Sequence, residues 1–309
     1  MDALLSITYS VEMSPNFPYW DSDWRLARGD IDAGTREYLL RLIGMAADEL
    51  APPQLYVLGS SLEDPDIDYL EDAAELGCAI GVYTYNHIDV KALTVPQLGP
   101  LYAEQPWRAA GRSPLQVVDQ EIRSTAEAIR HRFGCRARGF RAPGGYTNGL
   151  QDAPAIRQLL IEQGFNYVSS QICLGCPVDQ LEADGLADEL REIAIAGVRS
   201  QQPYTYEDGL LEIPTMFLSD EVVFRDLGLG LGEWLELVGV AAHVARREGL
   251  ILSLDMHPGI LAVRDPRGQT LRLLLKEAEA GGEDGPSRVV TNDRIAELWR
   301  SGCLPSRGE

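Results

Sequence analysis

The feature that most constrains the fold is the alternation of short apolar runs with longer amphipathic ones. "ALLSITYSV" is followed by "GTREYLLRLIGMAADEL", then "QLYVLGS", "DIDYLEDAAELG" and "AIGVYTY". Strand, helix, strand, helix, strand in this order predicts a parallel α/β sheet, because parallel strands need a helical crossover between them. The beat continues through "VVDQEIRSTAEAIRHRFG", "ARGFRAP", "APAIRQLLIEQG", "FNYVSSQ" and "LLEIPT" to "EWLELVGVAAHVARREG", "LILSLDMHP" and "NDRIAELWR". About seven strands are counted this way, with glycine or proline at several element ends.

The chain has 309 residues and no Pro/Gly/Ser-rich linker or internal repeat, so one barrel-like domain over residues 1–300 and a flexible tail over 301–309 are expected. The N-terminal "MDALLSITYS" has no basic segment and only a short apolar run, and no 18-residue apolar span follows. Five cysteines (Cys78, Cys135, Cys173, Cys176, Cys303) form an odd set that suits a reducing compartment, so a cytosolic protein is expected. "CLGC" has redox or zinc-ribbon spacing but no second pair, and reads as a chance pairing in a loop. "GLGLGEW" lacks the lysine of a phosphate loop and reads as a helix start. His131 and His243 lie within helical patterns and read as surface or packing residues.

A formal charge of −20 disfavours nucleic acid, anionic membranes and acidic cell-wall polymers as partners, since each would be repelled across a Debye length. A small neutral or cationic substrate suits the chain better, and a homo-oligomer is left open.

In parallel α/β folds ligands gather at the carboxyl ends of the strands. Polar residues cluster there: Ser10 and Glu12, Tyr83 and His87, Arg141, Ser169 and Ser170, Asp255 and His257. "GCAIGVYTYNHIDV", "GFRAPGGYTNG" and "LSLDMHPG", in this order, resemble motifs of the polysaccharide deacetylase (NodB-homology) family. The resemblance runs from about Ser6 to His257 and implies a distorted (β/α) barrel that hydrolyses N- or O-acetyl groups with a divalent metal such as zinc. It implies His257 as general acid, Arg141 as the group that orients the catalytic carboxylate, and His87 and Glu12 as metal ligands. Tyr83, Pro143, Gly144 and Tyr146 would line the groove, and Trp20 and Trp24, in the loop after the first strand, read equally as an aromatic wall of the cleft or as packing beneath that loop.

The sequence departs from the family at two places. Ser10 stands at the position of the base, where it cannot take a proton from water as a carboxylate does, and Tyr83 stands where the first metal-binding histidine belongs. Asp255 is either a catalytic group or a structural partner of Arg141. Three functions are compatible with this pattern: a hydrolase of a carbon–nitrogen (amide or N-acyl) bond in a small substrate, a metal-independent enzyme of small-molecule biosynthesis (ring opening, cyclisation or proton transfer), and a non-catalytic binding protein.

Overall fold

The computed structural model describes residues 2–13, 29–172, 186–216, 218–279 and 286–304. Trp20, Trp24, Cys173 and Cys176 lie outside these residues. The strands are β1 (Ala3–Val11), β2 (Gln54–Val57), β3 (Ala79–Val82), β4 (Gly139–Tyr146), β5 (Tyr167–Gln171), β6 (Tyr204–Thr205), β7 (Leu211–Glu212), β8 (Ile251–Met256) and β9 (Ser287–Val289). They form one sheet in the order β6-β7-β5-β4-β3-β2-β1-β8, with β9 also paired to β1. All pairs are parallel except β6 with β7.

The described residues thus hold nine strands where the sequence pattern counts about seven, and one pair is antiparallel. The two that periodicity misses, β6 and β9, have two and three residues, too few to show an alternation. Beyond β7 the chain keeps bridging: Ile172 pairs with Thr215, and the Met216 N–H donates to the Ser253 carbonyl at 2.9 Å. Among the described residues this backbone bond links the β5 side to β8, and the sheet curls into a distorted barrel.

Side chains alternate across a strand. On β1, Leu5, Ile7, Tyr9 and Val11 belong to the main apolar core together with helix residues such as Leu39, Leu42, Ile43, Val238 and Ala242. The intervening Ser6, Thr8 and Ser10 are buried on the opposite, interior face. On β8, Leu252, Leu254 and Met256 likewise join the main core, leaving Ser253 and Asp255 for the interior.

The interior is filled in polar layers. At the amino end of the strands Asn292, which opens the helix Asn292–Arg300, accepts from Ser6 Oγ at 2.7 Å and donates to Tyr56 OH at 2.9 Å. Leu304 packs with Leu4, Ile295 and Ala296 in a second apolar cluster at this end. Above Asn292, the guanidinium of Arg141 lies 3.9 Å from the centre of the Tyr56 ring.

Helix ends follow local chemistry. Asp32 caps Ala33–Asp48 by accepting from the Thr35 N–H at 2.7 Å, and Ser113 and Gln116 form a capping box on Pro114–Phe133. The glycine-rich "GLGLGEW" opens the helix Leu231–Glu248, and His131 and His243 are exposed on helices, as the pattern suggests.

One glycine is required by close approach. A Cβ at Gly139 would run into the ring of Tyr167, which is fully buried and cannot swing away. Gly139→Ala is expected to destabilise the protein by about 1–3 kcal/mol through overpacking, and an unchanged melting temperature would contradict this packing.

Candidate functional site

The strand ends converge on a cavity of about 200 Å³ at the carboxyl end of the sheet. Glu12, Tyr83, His87, Arg141, Gly144, Asp255 and His257 all line it, as do Ser169 and Ser170. Seven residues singled out for chemistry, drawn from four separate stretches of sequence, are therefore neighbours in space.

His257 is the most tightly held. It follows β8 and starts the short helix Pro258–Arg264, and both its backbone N–H and Nδ1 meet the carboxylate of Asp220, at 2.7 and 2.8 Å. Asp220 can only accept, so Nδ1 carries a proton and the ring orientation is fixed. Nε2 then faces Glu12 Oε1 at 3.2 Å. Burial opposes the imidazolium, but Asp220 and Glu12 outweigh it and hold its pKa well above the ordinary histidine value.

Glu12 sits between two imidazoles, with His87 Nε2 3.0 Å from its other oxygen. Burial would raise its pKa, yet His87 and His257 together hold it far below the usual carboxylate range. Glu12 is an anion and a poor base.

His87 occupies a left-handed backbone conformation, φ 54°, which is unfavourable for a residue with a Cβ. The turn is held in place by Glu121 from the helix Pro114–Phe133. Its carboxylate accepts from the Asn86 backbone N–H and from Asn86 Nδ2, both at 2.6 Å, and from Tyr102 OH at 2.7 Å. Thr84 Oγ1 adds a bond from the Ile88 N–H at 3.0 Å.

Arg141 crosses the interior. Nη1 donates to Thr8 Oγ1 at 2.8 Å and to Asp255 Oδ1 at 2.5 Å, and Nη2 reaches Ser169 Oγ at 3.3 Å. Ser10 also donates to Asp255 Oδ1, at 2.6 Å. Since a hydroxyl has one proton, the contact of 2.8 Å between Ser10 and Tyr83 runs from the Tyr83 phenol to Ser10 Oγ.

Three expectations need correction. Ser10 is buried behind Tyr83 and Asp255 and is not among the residues that line the cavity, so it supports the site from beneath. Pro143 and Tyr146 do not line it either. The reason is a register shift in β4 between Arg141 and Tyr146, where Gly144 and Gly145 take left-handed conformations and turn the strand. Tyr146 then points to Asp89, with its hydroxyl 2.5 Å from Oδ1 and Lys91 over its ring.

The third concerns the metal. His87 Nε2 and the outer oxygen of Glu12, which has no aligned hydrogen-bond donor, are two plausible donors facing one another. Catalytic zinc sites usually have three protein ligands. The third corner here is Tyr83, whose pKa burial, Asp255 and Glu12 push well above 10, and whose proton is committed to Ser10. Among the described residues no group of three or more His, Cys, Asp or Glu is arranged to hold a metal ion. The donor set is one ligand short and does not fit a tightly bound divalent ion.

Sequence reading missed Asp220 and Glu221, both in the "LSDEVVF" stretch after β7, and Ser219, Thr215 and Met216 beside them. The only available signal was a pair of acids directly following an apolar run. Glu121 was hidden inside an ordinary amphipathic helix.

No protein-family model matches the chain, and no curated protein does. Solved structures match closely in shape. A Mycobacterium smegmatis protein described as a polysaccharide deacetylase is 21% identical, with a TM-score of 0.65, covering 99% of this chain and 93% of that one. A Pseudomonas aeruginosa PAO1 protein described in the same way is 15% identical, with a TM-score of 0.61 and coverage of 96% and 91%. An allantoinase is 15% identical, with a TM-score of 0.63 and coverage of 96% and 90%. The chain has the fold of the polysaccharide deacetylases, as its motifs suggest.

Two measurements test this site. Glu121→Ala removes the acceptor of the buried Tyr102 hydroxyl and the carboxylate that holds the Asn86 turn, and is expected to cost about 1–3 kcal/mol in urea denaturation, with Glu121→Gln losing less. After zinc loading and desalting, the protein is expected to retain well under one equivalent. Retention of a full equivalent that is lost in His87→Ala would show that the two-ligand corner suffices.

Proposed function

We propose that the chain is a deacetylase-like hydrolase that cleaves a carbon–nitrogen bond, amide or N-acyl, in a small substrate. The observation that carries this reading is His257, an imidazole whose Nδ1 is anchored on Asp220 and whose Nε2 opens into the cavity beside Glu12. Breaking an amide requires a proton for the departing nitrogen, and an imidazolium held in one orientation supplies it. The deacetylase and allantoinase names of the structural neighbours support the same class of reaction.

The cavity, about 200 Å³, suits a small acyl compound. Glu12, Glu221 and Asp255 line it, and the charge of Arg141 is directed to Asp255, so a neutral or cationic substrate is favoured. No helix among the described residues is long and apolar enough to cross a membrane; action on a cytosolic substrate is part of this proposal.

The incomplete donor set supports a second reading, metal-independent ring opening, cyclisation or proton transfer in the same cavity. Undiminished activity in excess chelator favours it, and chelator-sensitive activity restored by zinc refutes it.

The test is a screen of small N-acyl compounds, starting with 4-nitroacetanilide and N-acetylglucosamine, with His257→Ala beside the parent protein. The variant is expected to lose activity by about 10²-fold or more, and equal turnover would overturn the role of His257. Because the pKa of His257 is raised, its acid form persists above the ordinary value, about 6.5. Turnover should therefore hold through neutral pH and fall only as pH rises through the folded-state value. The stability that the Asp220 pair contributes follows the same sign on the alkaline side: it is present near about pH 6.5, while Asp220 is ionised, and is lost as pH rises through the folded-state value of His257.

A further inference from the structure

Water must be activated before it can attack an acyl carbon, and β1 offers only Ser10 where a carboxylate is expected. The cavity and its surroundings hold several other carboxylates, and most are committed. Glu12 is gripped by His87 and His257, and Asp220 is fully buried behind His257. Glu221 is paired with Arg225 through one oxygen and takes no part in the network that joins Ser10 to Arg141, whose carboxylate is Asp255. Glu212 is fully buried under four donors: the Ser170 N–H and hydroxyl, the Gln171 N–H and the Tyr206 hydroxyl.

Asp255 differs. The register of β8 against β1 sets it beside Thr8, and the two-residue period turns it to the same interior face as Ser10. Its Oδ1 accepts from both Ser10 and Arg141, while Oδ2 has no hydrogen-bond partner among the described residues. The side chain is 13% exposed and lines the cavity with His257, two residues further along the chain.

We infer that Asp255 is the general base of this site, a carboxylate supplied by β8 in the place left vacant by Ser10 on the neighbouring strand, with Ser10 and Arg141 as its positioning residues. This rests on the hydrolase reading above. Asp255 Oδ2 removes a proton from water as the water oxygen bonds to the acyl carbon. The carbon–nitrogen bond then breaks, and the proton on His257 Nε2 passes to the departing amine. The products are the acid and the amine. The proton on Asp255 and the deficit on His257 cancel through solvent, so no oxidant, reductant or further reactant is needed.

The experiment compares Asp255→Asn, Asp255→Ala, Ser10→Ala and His257→Ala on 4-nitroacetanilide, each checked for folding by circular dichroism and melting. Asp255→Asn keeps an acceptor for Ser10 and Arg141. It is expected to lower kcat by about 10²-fold or more with KM little changed. Added formate should restore part of the activity of Asp255→Ala, because it returns a carboxylate to the gap. Ser10→Ala removes a donor that holds the carboxylate in place and should lower kcat with KM little changed, a loss that is read even if both Asp255 variants fail to fold.

An Asp255→Asn variant with full kcat, or with a loss confined to KM, would overturn the base assignment. So would a Ser10→Ala variant that keeps the parent's kcat. If Asp255→Asn is fully active while His257→Ala is dead, only this inference fails. If the parent protein turns over neither 4-nitroacetanilide nor N-acetylglucosamine, or if His257→Ala is as active as the parent, the hydrolase reading fails with it.

Discussion

The buried charge of Arg141 is the constraint around which the interior is arranged. A guanidinium at 3% exposure would be untenable alone, since desolvating an unpaired ion costs several kcal/mol. Burial works against it, and Asp255 outweighs that cost and keeps its pKa raised. Thr8, Ser169 and the face of Tyr56 complete its surroundings, so residues from β1, β2, β4, β5 and β8 are all tied to one side chain. Among the described residues one backbone bond closes the last seam of the barrel, and Arg141 adds cross-links between strands that the ladder does not supply.

The same economy explains the cavity above it. Glu12, His87, His257 and Asp220 form a chain of alternating charge-accepting and charge-donating groups, each with its partner within 3.2 Å. Glu12 is stabilised as an anion and His257 as a cation by the same contact, so the site separates an acid from a spent carboxylate. What such a site lacks is a carboxylate free to accept a proton, the role inferred above for Asp255, whose Oδ2 has no hydrogen-bond partner among the described residues. The strain at His87 belongs to this design: the left-handed turn lets its ring reach Glu12, and Glu121 holds the turn from behind.

Much of this was legible in the chain. The alternation of apolar and amphipathic runs gave the parallel sheet, and polar residues at the ends of those runs gave Glu12, Tyr83, His87, Arg141, Asp255 and His257 as cavity neighbours. Tyr146 was misplaced because a motif shows which residues follow one another but not where a strand twists, and the two left-handed glycines at Gly144 and Gly145 turn it away. Asp220 was invisible because it belongs to no periodic element and acquires its meaning only from the His257 ring beside it.

The sequence by itself determined the layered α/β fold, since hydrophobic period and helix stops are local properties of the chain. It also determined that position 10 carries no carboxylate and position 83 no imidazole, which is a matter of residue identity. Only the tertiary structure decided what those losses mean. Strand register set Asp255 against Ser10 and Arg141, and burial kept Tyr83 a neutral phenol with its proton turned to Ser10. Charge partnership and desolvation depend on distances between residues that are far apart in the chain, and those distances exist only once the sheet has closed.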